Sequence, residues 1–417
     1  MQAILTIPDW RGRHDAAEQM LFHDIGGVPL LIRTIATASR AGADEVLLIF
    51  PGFIPCEIVK QVRENKIFSV VPLVKYISVR DFDPAAASAW QQISSQLQDE
   101  FFWIPWNWVT NKRALIALPL LAYEPASWTV PARLRRDVVM NPTEFLSFKG
   151  RAEGIAVLSE DSVDDAERWL VANSGKPLDG IYTSFNRRLC RPIVRALTHT
   201  AVSPNAVTLA GLLVACLSAY CFSRSSYLSA VAGALLFFLS GLCDEVDGML
   251  ARIKFSDSAF GTWFEGLVDN LSYLLLFGGI AVGLSRYRGS RELWICGAIL
   301  VGAVISTAAV AWLRKSSTHR DRPNEYLGKM YRKLDEDRGN WISRISRNIE
   351  FLLKKGVFIH YVVLFSLLGL LPLMMRIAAI AANLTWILAL YFKRRFFRSP
   401  HPGSEAVAFQ KPAKVNA

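Results

Sequence analysis

The apolar positions change their rhythm near residue 200. Upstream they come as short runs separated by helical patterns. QAILTI (2–7) reads as a buried strand, and Pro29–Arg40 as a helix with Pro29 in its first turn and Gly42 at its stop. Asp44–Phe50 is a second strand, IPCEIVKQVREN a second helix and Gly154–Leu158 another strand. Ser159 or Ser162 caps a further helix running to about Asn173; Ser162 with Asp165 approximates a capping box, and Gly175 closes it. Strand, helix, strand, helix predicts an α/β domain with a mostly parallel sheet over residues 1–175. Trp103, Trp106 and Trp108 are expected to pack in its core or at an interface.

Beyond residue 200 the pattern becomes six apolar spans: Ala206–Phe222, Leu228–Cys243, Leu267–Leu284, Leu293–Leu313, Val357–Met374 and Ile377–Phe392. Each comes near the ~20 residues that cross a bilayer. The expectation is an all-α six-span membrane domain over 201–398, followed by a disordered tail at 399–417. Tyr182–His199, within a juxtamembrane segment 176–200, sets Phe185, Leu189, Ile193, Val194 and Leu197 against Arg187, Arg188, Arg191 and Arg195. That is a basic amphipathic helix suited to an anionic membrane surface.

Composition changes the picture little. The 52% apolar content averages two unlike halves, as does the mean hydropathy of +0.25. The net charge of +11 reads as membrane topology. Basic residues crowd the juxtamembrane helix, the loop Arg314–Lys355 and the KRRFFR after the last span, and six spans put all three on one side with the N-terminal domain. By the positive-inside rule that side is cytoplasmic, although SRYRGSRE in an opposite loop is also somewhat basic. No aromatic-and-basic module points to nucleic acid. The six cysteines are scattered without a CxxC pair and read as free thiols. MQAILTIPDWRGR lacks a basic region followed by an apolar one, so no cleaved signal peptide is expected.

One stretch violates the apolar pattern. Residues 244–269 read DEVDGMLARIKFSDSAFGTWFEGLVD, between AVAGALLFFLSGLC and NLSYLLLFGGIAVGL. A carboxylate within a membrane costs roughly 2.5–3.5 kcal/mol, so it usually marks a site. On helices, Asp244 and Asp247 share a face (i, i+3), and so do Glu265 and Asp269 (i, i+4). Two facing helix ends would aim four carboxylates at one point, a donor set for hard divalent cations.

The spacing Asp244-x2-Asp247-Gly248-x2-Ala251-Arg252-x8-Gly261-x3-Glu265-x3-Asp269 resembles the signature of the CDP-alcohol phosphotransferase family, D-x2-D-G-x2-A-R-x8-G-x3-D-x3-D. Glu265 is its one departure. Pro204-Asn205-x2-Thr208 and Lys176-Pro177-x-Asp179-Gly180 are further matches. The resemblance implies displacement of CMP from a CDP-linked donor by an acceptor alcohol, at a two-metal site holding Mg²⁺ or Mn²⁺ about 3.5–4 Å apart. It assigns Asp244, Asp247 and Glu265 as metal ligands and Asp269 as a further ligand or the general base. Gly248 and Gly261 would allow close approach of backbone and ligand. Arg252 would neutralise phosphate, and Asp179, Asn186 and Arg187 would contact the nucleotide. Membrane lipid and a second copy of the chain are candidate partners.

Ile25, Gly27, Pro29 and Leu30, followed by Gly42 and EVLLIF, resemble the I-x-G-x-P-L region of sugar-nucleotide and cytidylyl transferases. Together the two halves look like fused enzymes that make and use CDP-inositol. In place of that family's glycine-rich loop the chain has Ile7-Pro8-Asp9-Trp10-Arg11-Gly12-Arg13, and Met20 stands where its lysine would fall. Amides approach phosphate closely only where side chains are absent. The domain thus reads as a nucleotidyltransferase fold without its activity, with Arg11 and Arg13 the remaining anion contacts. Two other functions compete with the transferase: a non-catalytic membrane scaffold, favoured by Glu265 and the altered loop, and a transporter, for which no internal repeat is found.

Overall fold

The structure, a computed structural model, describes residues 1–7, 20–65, 67, 73–121, 127–140, 152–175, 180–317, 332–333, 336–337, 340–343 and 355–396. Arg11, Arg13, Asp179 and most of Lys176–Gly180, the greater part of the loop Arg314–Lys355 and the tail at 399–417 lie outside them. The chain gathers into two compact units. One takes in Met1–Thr208 and Asp244–Phe264, the other Leu209–Cys243 and Glu265–Ala417.

In the first unit the apolar runs form a six-stranded sheet in the order β5-β4-β1-β6-β9-β8. Its strands are β1 (Gln2–Thr6), β4 (Glu45–Phe50), β5 (Leu73–Ser78), β6 (Glu100–Trp103), β8 (Leu120–Leu121) and β9 (Ala132–Arg135). Four neighbouring pairs are parallel and β6–β9 is antiparallel, so the sheet is mixed but mostly parallel. β1 and β4 lie inside it with both faces covered, which is why AILT and VLLIF are apolar without alternation. Helix α1 (Leu30–Arg40) packs Leu31, Ile32 and Ile35 on one face, against Leu5, Val46 and Leu48. The other face holds an aromatic cluster in which Trp103 meets Trp90 and Trp128 edge-on. Helix α2 is Cys56–Glu64. Trp108 is buried too, in β7 (Trp108–Val109), which pairs with β10 (Ile155–Ala156).

Helix α3 (Glu160–Ala172) starts at Ser159, whose N–H donates to Ser162 Oγ at 2.9 Å. The reciprocal cap partner is therefore Ser162 rather than Asp165: Ser162 is the residue at the third helical position, where its side chain reaches back. A two-residue hairpin, β2 (Asp24–Ile25) and β3 (Val28–Pro29), turns through Gly26 and Gly27 at φ +59° and +77°. Helix α4 (Ile181–Thr198) buries Asn186, Arg187, Cys190, Val194 and Thr198 and leaves Ile181, Phe185, Leu189 and Ile193 exposed. An uncovered apolar stripe four residues apart is what an interfacial helix presents to lipid.

The apolar runs of the second half form α5 (Pro204–Ser223), α6 (Tyr227–Ile253), α7 (Ala259–Arg288), α8 (Arg291–Ser317), α9 (Lys355–Leu367) and α10 (Leu371–Phe396). Among the described residues five helices are long and apolar enough to cross a membrane; the fifth of the six expected spans, α9, is a shorter apolar helix. The expected turn at 375–376 lies at 368–370 instead. Gly369 adopts φ +68° there. Leu370 N–H reaches back to Phe365 O (2.8 Å), and Pro372 opens the next helix. Glycine and proline, rather than the charge of Arg376, break the apolar run.

The second unit has its own core around Phe237, Leu276, Phe277, Ile280, Ile359, Val362 and Met375. Leu209, Leu213, Leu217 and Tyr220 of α5 point outward, as lipid-facing positions do. Hydroxyls tie the helices to one another: Ser218 Oγ donates to Gly233 O (2.7 Å), Ser240 Oγ to Gly211 O (2.8 Å) and Ser306 Oγ to Ala382 O (2.8 Å). The cysteines in the described residues are free, as expected.

Candidate active site

Helix α6 does not stop where its apolar run stops. DEVDGMLARI contains no proline and a single glycine, Gly248, which does not interrupt the helix; it continues from Cys243 to Ile253 and carries both motif aspartates. It ends in a left-handed residue, Phe255 (φ +55°), with Ser256 N–H bonded back to Ala251 O at 3.0 Å. This is a Schellman-type ending with phenylalanine where glycine is usual. Helix α7 begins four residues later, and Ser258 Oγ accepts from Gly261 N–H (2.9 Å) in its first turn.

The motif acids come together. One carboxylate oxygen from each of Asp244, Asp247 and Glu265 lies within 4.8 Å of the others. Asp247 is the most enclosed, 3% exposed. The other two are half-buried. The set is all oxygen and carries up to three negative charges, which suits a hard divalent cation. Asp269 stands one turn beyond Glu265 on α7, half-buried, and is not part of that trio.

Asp247 is held by α5. Ala206 N–H bonds Ser203 Oγ (3.2 Å) and Pro204 takes the first position of the helix. The third turn-facing residue, Thr208, is buried, and its Oγ1 lies 2.5 Å from Asp247 Oδ2 and 3.1 Å from Pro204 O. A hydroxyl has one proton, and the shorter contact, to the carboxylate, takes it. Asn205 comes near the second glycine: a Cβ on Gly261 would sit 3.3 Å from Asn205 Oδ1 and 3.1 Å from Ser258 Oγ. Gly248 serves differently, since a Cβ there would press on the Arg252 guanidinium at 3.3 Å.

The arginines expected at phosphate and at the nucleotide have protein partners. Arg187 Nε donates to Glu245 Oε2 (2.9 Å), both side chains largely buried. Arg252 Nε donates to Ser174 O (2.6 Å). Asn186 is fully buried on the same face of α4. Glu245, Ser174 and Thr208 were not among the residues the motif singled out as the site. Glu245 is adjacent to Asp244 but on another helical face. The Thr208 signal was present in Pro-Asn-x2-Thr, where a hydroxyl one turn into a span has few reasons to be buried except a polar partner.

A family model, CDP-alcohol phosphatidyltransferase, matches residues 201–391. The matched segment begins just before α5 and takes in most of α10. The chain is 33% identical over 98 residues to an archaetidylinositol phosphate synthase of Methanothermobacter thermautotrophicus, covering 22% of this chain and 49% of the relative. It is 24% identical over 234 residues to a bifunctional IPC transferase and DIPP synthase of Aquifex aeolicus, covering 55% and 48%. An archaetidylinositol phosphate synthase of Pyrococcus horikoshii is 32% identical over 91 residues, covering 22% and 47%. The chain thus spans about half the length of these relatives. Five helices of the described residues, all within the C-terminal half, are long and apolar enough to cross a membrane.

Proposed function

We propose that the protein is an integral-membrane transferase that moves a phosphate-linked group from a CDP-alcohol to an acceptor alcohol and releases CMP, in phospholipid or polar head-group synthesis. The convergence of Asp244, Asp247 and Glu265 carries this reading. Those carboxylates would hold Mg²⁺ or Mn²⁺, with Asp269 beside them. When bound, such ions offset the charge on a pyrophosphate and on the departing CMP. The chain's own part is to fix the acids. Thr208 aims Asp247, and Arg187 pairs with Glu245 beside Asp244. Asp269, one turn along α7, is our general base for the acceptor hydroxyl. Glu265 reaches the two aspartates despite its extra methylene, which favours the enzyme over a scaffold. The site and the N-terminal domain are assigned to the cytoplasm on the basic loops. Because the relatives' names include inositol phosphate products, a phosphorylated polyol is the first acceptor to try.

The test is CMP release by purified protein from CDP-diacylglycerol, CDP-inositol and other CDP-alcohols with Mg²⁺ or Mn²⁺. Wild type should release CMP with at least one donor, and Asp269→Asn should not. Silence with every donor, or equal release by that variant, would overturn the reading. Glu265→Asp shows whether the glutamate tunes the rate.

The N-terminal domain, in our reading, keeps a nucleotidyltransferase fold without nucleotide binding. Met20 packs with Ile25, Leu30, Val109, Val157 and Val163 where the resembling family has a lysine. Titration calorimetry with CTP and Mg²⁺ is expected to give no binding heat. A dissociation constant below about 1 mM, equivalent to about −4.1 kcal/mol, would contradict this.

A further inference from the structure

The hairpin that resembles a nucleotide-binding element is occupied by protein. A Cβ on Gly27 would collide with Thr198 O, and one on Gly26 would sit 2.9 Å from Ile253 Cγ2. Gly26 N–H is taken by Glu167 Oε1 at 2.8 Å. Both glycines lie in the left-handed region, so side chains there would be strained as well as crowded.

Behind the hairpin lies Arg33, 2% exposed. Its Nε and Nη2 donate to Ile25 O (2.9 and 2.6 Å), and Nη2 also reaches Ile253 O at 2.9 Å. Ile253 is the last residue of α6, six positions after Asp247. Its carbonyl is one of the four that a helix end leaves unsatisfied, and the negative end of the helix dipole favours a cation there. Burial pushes the Arg33 guanidinium down to about 9, with Glu167 and Asp24 opposing, so it stays charged at neutral pH. A buried cation is costly unless it is hydrogen-bonded, and Arg33 meets that need with the carbonyls of Ile25 and Ile253.

What it holds is the turn between the two motif helices. Phe255 sits in its left-handed conformation with the Arg33 guanidinium 5.1 Å and the Arg40 guanidinium 4.6 Å from its ring centre. Arg40 Nη1 also pairs with Asp257 Oδ2 at 2.7 Å. Lys254 Nζ donates to Thr200 O (2.7 Å) and Val202 O (3.1 Å). Each of residues 253, 254, 255 and 257 is thereby tied to a segment outside α6 and α7.

We propose that the N-terminal domain braces the α6–α7 turn, and that Arg33 is the positioning residue at its centre, fixing the end of the helix that carries Asp244 and Asp247. The brace is a function for the N-terminal domain that requires no nucleotide, and it rests on the transferase reading above only for its catalytic consequence. Arg33 touches neither the acids nor any substrate. It acts through Ile253 O and Phe255. Misplacement of reacting groups by about 1 Å can cost ~10²-fold in rate. Removal of the brace should therefore lower kcat and weaken metal binding, with donor KM little changed.

The experiment uses the full chain in detergent, with Arg33→Met, Arg33→Lys, Arg40→Gln and, as a control in the opposite face of the sheet, Leu134→Ala. Hydrogen–deuterium exchange reads the turn without requiring activity. Arg33→Met should raise exchange of the 251–258 amides about tenfold. It should lower kcat about 10- to 100-fold and raise the half-saturating Mg²⁺ concentration. Arg33→Lys should recover part of both, and Arg40→Gln, at a partly exposed pair, should move both less and in the same direction. Leu134→Ala should lower the melting temperature and leave both unchanged. Unchanged exchange in Arg33→Met and Arg40→Gln overturns the brace, as does an equal loss of kcat in Leu134→Ala. Raised exchange with unchanged kcat overturns the positioning role. If the wild type releases no CMP, the transferase reading fails by itself and the exchange data still decide the brace.

Discussion

Asp247→Asn is expected to reduce CMP release about 10³-fold, a loss of ~4 kcal/mol of transition-state stabilisation. Asparagine keeps the volume and one oxygen but removes the charge. Asp247 is the most buried of the three acids and accepts from Thr208 Oγ1 at 2.5 Å. The substitution therefore takes away the negative group that is best held and least solvated. Added Mg²⁺ up to tens of millimolar should recover only part of the rate, because the lost term is charge as well as occupancy. Thr208→Val gives a graded comparison. It preserves shape and removes only the donor that aims the carboxylate, and a loss of roughly 10- to 100-fold is expected, as for other groups that orient metal ligands. Steady-state CMP release over a Mg²⁺ series checks both. An Asp247→Asn rate within tenfold of wild type would remove this residue from the reaction, whatever the other acids do.

These residues were legible in the sequence because charge in an apolar stretch is expensive and therefore conspicuous. Asp244, Asp247 and Glu265 could be placed on helices and given a chemistry before any coordinates. The parallel part of the sheet was legible for a similar reason: β1 and β4 are continuous apolar runs. The antiparallel β9 was not. ARLR (132–135) is short and half charged, and its pairing with β6 is a contact between segments some thirty residues apart that local pattern does not encode. The α9–α10 turn was misplaced because two spans join with little polar sequence between them, and only Gly369 and Pro372 punctuate the run.

Arg252, Arg187 and the Gly26–Gly27 pair illustrate a second limit. The resemblance places Arg252 at phosphate, Arg187 at the nucleotide and Gly27 in the I-x-G-x-P-L region. In the structure Arg252 Nε donates to Ser174 O, Arg187 Nε donates to Glu245 Oε2, and Cβ atoms on the two glycines would meet Thr198 O and Ile253 Cγ2. A motif states which groups are present and at what spacing. Whether a neighbour from elsewhere in the chain has claimed them depends on long-range packing. In the first unit the Gly26–Gly27 turn packs against Thr198 and Ile253, and Met20 packs in an apolar cluster.

Gly279→Leu and Gly283→Leu are expected to be the most destabilising substitutions in the second unit. GIAVG (279–283) is a small-x3-small pattern inside an apolar helix, and no sequence reading had given it a role. A Cβ on Gly279 would sit 2.6 Å from Ala219 O, and one on Gly283 would collide with Phe222 O. The obstacle in both cases is the backbone of α5, which cannot rotate aside as a side chain can. Ser225 Oγ further pins this contact by donating to Gly283 O at 2.8 Å. Lipid offers no hydrophobic gain for helix association, so close backbone packing of this kind supplies much of what holds two spans together. Overpacking typically costs about 1–3 kcal/mol per site, and a leucine forced against main chain belongs at the upper end or above it. Gly278→Leu is the control: its neighbour position has nothing within 4 Å of a new Cβ. Fluorescence-detected size exclusion after a temperature series in mild detergent should show Gly278→Leu melting near wild type, each of the other two well below it, and the double variant largely aggregated. Equal melting for Gly278→Leu and Gly279→Leu would mean that α5 and α7 are not in backbone contact in the folded protein.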